Sequence, residues 1–164
     1  MYASVLRLSD ALNLRIKGLH FANVQMEIAN TKHDHVKIVP CPKSIHDKVR
    51  RQGEIAERFH HQDAIENPKG VSVPHAYVRK CLSAPRDFRC MSLFPSALLS
   101  RDPTDERLKR YHCDDDHQRR IFRDAVLRSG VRRRITPHDI RRPAATHLHL
   151  SAMPLKRRKG ISRA

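Results

Sequence analysis

Two short stretches, VQMEI (24–28) and VKIVP (36–40), flank the polar run TKHDH (31–35). The first alternates strictly, so Val24, Met26 and Ile28 fall on one face of a half-buried strand. The second reads as another short strand, and the polar run between them as a turn. The pair therefore predicts an antiparallel β-hairpin with Lys32 at its tip. A lone hairpin is marginal in water, so the fold class turns on what surrounds it.

The surroundings are mostly helical in pattern. SVLRLSDALNLRIK (4–17) places Leu8, Leu12 and Ile16 at helical spacing, with Leu6 and Leu14 widening the apolar face. Residues 43–62 predict a second helix with Ile45, Val49, Ala56 and Phe59 inward, weakened by Gly53. DDDHQRRIFRDAVLRSG (114–130) is the clearest helix. It has acids at its start, Ile121, Phe122, Ala125 and Val126 on one side, and Gly130 as C-cap. The stretch 63–113 is Pro-rich without clear periodicity and reads as loops and short pieces. The expected class is α+β, mainly helical, with a small antiparallel β-sheet.

TPHDIRR (136–142) carries chemistry as well as a helix start. Thr136 suits the N-cap, and Pro137 suits the first helical position. His138 and Arg141 then share one face of the first turn. Free backbone N–H groups and the positive end of the helix dipole point the same way, a geometry that favours an anion.

Charge narrows the class of partner. Thirty-three Lys and Arg against 17 Asp and Glu give a formal +16. The final LKRRKGISRA adds basic residues and no acid, yet the excess extends along the whole chain. Such a balance favours a polyanion: nucleic acid first, an anionic membrane surface second. No segment is long and apolar enough to span a bilayer, and MYASVLRLSD lacks the apolar core of a signal peptide. Cys41, Cys81, Cys90 and Cys113 are scattered without a CxxC pair, which fits reduced thiols and a cytoplasmic setting. YHCDDDH (111–117) gathers His112, Cys113, three aspartates and His117 but lacks a second ligand pair at zinc spacing. Those aspartates are expected to cap the following helix, and no metal site is expected.

Three separated pieces together resemble one family, the tyrosine recombinases of the phage-integrase type. YASVLRLSDALNLRIKGLHF resembles the family's Y-G-[ST]-G-L-R-[IL]-[SM]-E-[LA]-L-x-L-[RK]. TKHDHVKIVPCP resembles its hairpin G-K-G-x-K-[DE]-R-x-V-P-L-P, and TPHDIRRPAATHLHL its T-P-H-x-L-R-H-[ST]-x-A-T-x-L-L. A fourth stretch, residues 70–126, looks like the insertion and following helix of integron integrases, including G-V-x-L-P and V-F-P-S pieces. The resemblance covers roughly residues 2–150.

The resemblance implies DNA integration and recombination by strand breakage and rejoining through a phosphotyrosine, without metal or nucleotide cofactor. It implies Arg7 and Arg141 as phosphate clamps, because a planar guanidinium meets two phosphate oxygens and never deprotonates. His138 would be an acid/base partner at the same phosphate, and Lys32 the general acid toward the leaving 5′-oxygen. Asp10 falls where the family places a supporting acid. Other recombinase protomers are implied as partners beside DNA.

Departures from the pattern set further expectations. The tyrosines are Tyr2, Tyr77 and Tyr111, all upstream of TPHDIRR, so no nucleophile is expected among them. The expected unit is a catalytic-domain fragment truncated at both ends (1–150, with the insertion at about 63–113), followed by a basic non-family tail (151–164). It is expected to be inactive alone, or to act as a non-enzymatic DNA-binding remnant. Arg141–Ala145 stands where the family has R-H-S-F-A. Pro143 therefore interrupts a helix, and Ala144 replaces a core aromatic.

Overall fold

The computed structural model describes residues 4–29, 36–66, 70–73, 78–79, 81–102 and 105–150, the last six by backbone alone. Its elements run α1 (Leu8–Leu12), β1 (Leu19–His20), β2 (Gln25–Ala29), β3 (Val36–Pro40), α2 (His46–Glu66), β4 (Pro95–Arg101), β5 (Leu108–His112), α3 (Asp115–Arg128) and α4 (Pro137–Leu150). This is the α+β architecture expected from the pattern.

The hairpin forms as read. β2 and β3 pair antiparallel with Met26 opposite Val39 and Ala29 opposite Val36. Met26, Ile28 and Val39 are buried, which places the alternating face against the core. Leu6, Leu14, Cys41 and Leu93 complete that core. Val24 lies just before the strand in a left-handed conformation (φ 55°) and is half-buried. β1 adds a third strand on the far side of β2, with Leu19 opposite Met26. The tip, with Lys32, lies outside the described residues.

The helix expected over 4–17 is a correction. Only Leu8–Leu12 is α-helical, with Asn13 as C-cap and its side-chain amide donating to the Ser9 carbonyl at 2.9 Å. Beyond it the backbone bonds to a distant segment. Leu93 N–H donates to the Leu14 carbonyl (2.8 Å), and Ile16 N–H to the Met91 carbonyl (3.0 Å). Leu6, Leu12 and Leu14 are all buried, so the leucine spacing reports burial from two sides rather than helix.

The stretch 63–113 also differs from the loops expected. α2 continues to Glu66, and β4 and β5 form a second antiparallel sheet, with Leu99 opposite Arg110 and an irregularity between Pro95 and Leu99. Pro95 takes the first strand position, where its missing N–H breaks no ladder. A second core cluster of Ala56, Val71, Ala84, Cys90 and Met91 joins α2 to the segments between the sheets. Arg15 crosses the same region, its guanidinium donating to the carbonyls of Cys90 and Ser72.

α3 forms with the expected ends. The Asp114 carboxylate accepts from His117 N–H at 3.1 Å, and Gly130 takes φ +73° just past the C-cap. Its expected inward face is not buried, however. Ile121 is 46% exposed, Ala125 is exposed, and Phe122 and Val126 are half-buried. This helix forms one wall of a cleft rather than a layer of the core.

Candidate functional site

The first turn of α4 is held by its own side chains. Thr136 N–H and Oγ1–H donate to the Asp139 carboxylate at 2.9 and 2.7 Å. This is the reciprocal half of a capping box, in which the third helical residue reaches back to the cap. The Thr136 hydroxyl, and then its N–H, hold the Asp139 carboxyl below the usual carboxylate range. His138 is exposed on this turn, and Arg141 is half-buried. The Arg141 Nε–H donates to the Val5 carbonyl at 3.0 Å, which joins the start of α4 to the segment preceding α1. Ala144, one turn further on, is 2% exposed and faces the interior.

Arg7 stands at the N-cap of α1. Its N–H donates to the Asp10 carboxylate at 3.3 Å, while Asp10 also accepts from Lys37 Nζ of β3 at 3.0 Å. One carboxylate thereby ties the start of α1 to the hairpin. The Arg7 side chain is exposed, and no carboxylate among the described residues lies in ion-pair range of its guanidinium.

These two starts face a common cleft of about 990 Å³. Arg7, His138 and Arg141 all line it, although they come from opposite ends of the chain. Asp10 stands behind Arg7 rather than in the lining, and Lys32 lies outside the described residues. Sequence reasoning missed the rest of the wall: Arg119, Arg120 and Arg123 of α3, and Arg134 before α4. Their signal was present as basic residues at i, i+1 and i+4 of an amphipathic helix. Asp114, Asp115 and Asp116 form an acidic lip on the same wall. Arg119 lies 3.7 Å from Asp115 and 3.2 Å from Asp116, so part of this acidity is answered within α3. Guanidinium groups converging around a space of this size suit an anion with several oxygens.

Other sequence candidates fall elsewhere. Tyr111 sits on β5, 38% exposed, and does not line the cleft; Tyr2 and Tyr77 lie outside the described residues. In the 111–117 stretch, Gln118 Nε2 donates to Cys113 Sγ at 3.1 Å, and Asp114 serves as the helix cap. Among the described residues no three His, Cys, Asp or Glu side chains group as metal ligands do. None of their helices is long and apolar enough to cross a membrane.

Residues 1–157 match the model of the phage integrase family. Proteins described as "Integrase/recombinase" from Escherichia coli and from Pseudomonas aeruginosa are each 28% identical over 156 residues, 95% of this chain. The chain spans about half the length of these curated relatives, 46% of each. Among solved structures, the XerA recombinase superposes with a TM-score of 0.62 at 16% identity, over 98% of this chain and 45% of that one. The Tn1549 transposon integrase, solved in complex with circular intermediate DNA, gives 0.55 at 18% identity, over 98% of this chain and 46% of that one. The two structures share the fold, and the sequence match runs through both starts that build the cleft: the chain belongs to the phage integrase family, the tyrosine recombinases.

Proposed function

We propose that this chain forms the scissile-phosphate cradle of a site-specific DNA recombinase of the integron-integrase type. Residues 1–150 act as a part of the catalytic domain, with the insertion at about 63–113 and a basic tail at 151–164. One observation carries the reading: Arg7, His138 and Arg141 line a single cleft from opposite ends of the sequence. Phosphoryl transfer at DNA piles negative charge on the non-bridging oxygens in the transition state, and fixed cationic donors stabilise it. Arg7 and Arg141 are assigned as the clamps on those oxygens. His138 exchanges a proton or hydrogen bond at the same phosphate, and Lys32 protonates the leaving 5′-oxygen. Asp10 holds the Arg7 backbone and, through Lys37, strand β3.

The attacking hydroxyl comes from outside these residues. Tyr111, the one described tyrosine, is absent from the cleft lining. That same observation favours a second reading, in which this polypeptide by itself binds DNA without cleaving it. Both readings predict binding, and a nicked duplex separates them from an active enzyme. The 164-residue chain is expected to form no covalent protein–DNA adduct; an adduct lost in Tyr111→Phe would overturn the assignment of the nucleophile.

The cradle itself is tested by affinity. Arg7→Ala and Arg141→Ala are each expected to weaken duplex binding by about tenfold, the scale of a charge-assisted hydrogen bond. Each should also lower the slope of log affinity against log salt by about one. Arg58→Ala, on the exposed face of α2, should do neither to a comparable degree. Equal affinities for all three variants would remove the cleft from DNA binding.

A further inference from the structure

Val5 adopts φ +52°, a left-handed conformation that β-branched residues rarely enter. It is also 3% exposed, so the conformation is imposed by packing on all sides. The family pattern that matches residues 2–7 has glycine at this position, the one residue that takes positive φ freely. Two consequences of the turn meet in the cleft. The Val5 carbonyl accepts from Arg141 Nε at 3.0 Å. The chain then passes through Leu6 into Arg7, both of which line the cleft with Arg141.

We propose that Val5 is a positioning residue of this cleft: its left-handed turn aims the Val5 carbonyl at Arg141 and so sets the plane of that guanidinium beside Arg7. The inference rests on the reading that the cleft takes a DNA phosphate. Its physical basis is the rigidity of the guanidinium. Nε lies in the plane of the fork, so a hydrogen bond at Nε fixes the direction in which both terminal nitrogens point. Held in this way, the fork meets an oxyanion without ordering itself at the moment of binding. Two residues on, the same stretch carries Arg7, whose own N–H is held by Asp10. A shift of the turn would therefore move both arginines relative to each other.

The test is a mutant cycle on the full 164-residue chain, read as affinity for a 20-base-pair duplex. Val5→Pro, with φ confined near −65°, cannot make the turn. It should weaken binding about tenfold, as Arg141→Ala does, and the double variant should be no weaker than the worse single one. Val5→Gly keeps positive φ available and should bind within about twofold of wild type. A second readout needs no variant: the Arg141 Nε–H should exchange with water at least tenfold more slowly than that of exposed Arg58. If Arg141→Ala leaves affinity unchanged, the phosphate reading fails. If Arg141→Ala weakens binding but its loss multiplies with that of Val5→Pro, or Val5→Gly weakens binding as Val5→Pro does, the positioning role alone is overturned. Should Val5→Pro fail to fold, fast exchange at Arg141 Nε in the wild type overturns that role.

Discussion

Asp63→Ala is expected to destabilise the chain by about 3–5 kcal/mol, the cost of removing one partner from a buried ion pair. Asp63 on α2 and Arg110 on β5 have side chains only 5% exposed. They meet as two parallel bonds, Nε to Oδ2 and Nη2 to Oδ1, both 2.6 Å. Nη1 of Arg110 also donates to the Ser96 carbonyl at 2.6 Å, and its guanidinium carbon lies 4.6 Å from the centroid of the Phe59 ring. Every nitrogen of the guanidinium thus has an acceptor, and truncating Asp63 strands a cation away from water. A typical domain is stable by only about 5–15 kcal/mol, so this one change consumes much of the margin. The pair links β5 of the second sheet to α2. Replacing both partners with apolar residues, as in Asp63→Leu with Arg110→Met, should restore much of the loss, because no stranded charge remains. Urea denaturation measures both variants. A loss below about 1 kcal/mol for Asp63→Ala would place the pair in water, where such contacts contribute little.

Pro143→Ala is expected to act in the opposite direction, raising stability by about 3 kcal/mol. Pro143 lies inside α4, which runs from Pro137 to Leu150, and its residue is exposed. It contributes no N–H for the carbonyl of Asp139, and its ring crowds that carbonyl. An exposed ring buries little, so alanine sacrifices almost no packing while restoring the bond. The gain matters for the cleft because His138 and Arg141 occupy the turn that Pro143 weakens. A shift in the denaturation midpoint with an unchanged slope would report it directly. A change of less than about 0.5 kcal/mol would mean that the helix is already broken at Pro143.

The sequence was most legible where one periodicity met one environment. The β2–β3 hairpin has a single buried face, so alternation of Met26 and Ile28 with polar residues identified it. The leucines of 4–17 misled because Leu6 and Leu14 are buried by the core while the backbone around Leu14 pairs with Leu93 and Met91. A helical count of apolar residues cannot distinguish that from a helix. β4 and β5 were invisible for a related reason. Leu98 is exposed, Arg110 is buried, and the irregularity between Pro95 and Leu99 breaks any alternation. In the site, the start of α4 was readable because capping chemistry is local: Thr136, Pro137 and Asp139 lie within four positions. Arg7 had no local signal and was singled out only by the family pattern. The arginines of α3 were not singled out, because only tertiary placement turns them toward Arg7 and Arg141.

The shared cleft can be tested with the smallest anion of the right chemistry. Inorganic phosphate would be titrated into the chain while the Nε–H signals of Arg7 and Arg141 and the ring signals of His138 are followed by NMR. A single binding site bounded by all three requires their shifts to saturate together, with one dissociation constant, and Arg7→Ala to weaken the response of the other two. Shifts that saturate at different concentrations, or a response of Arg141 indifferent to the loss of Arg7, would show three separate surface charges and contradict the cradle.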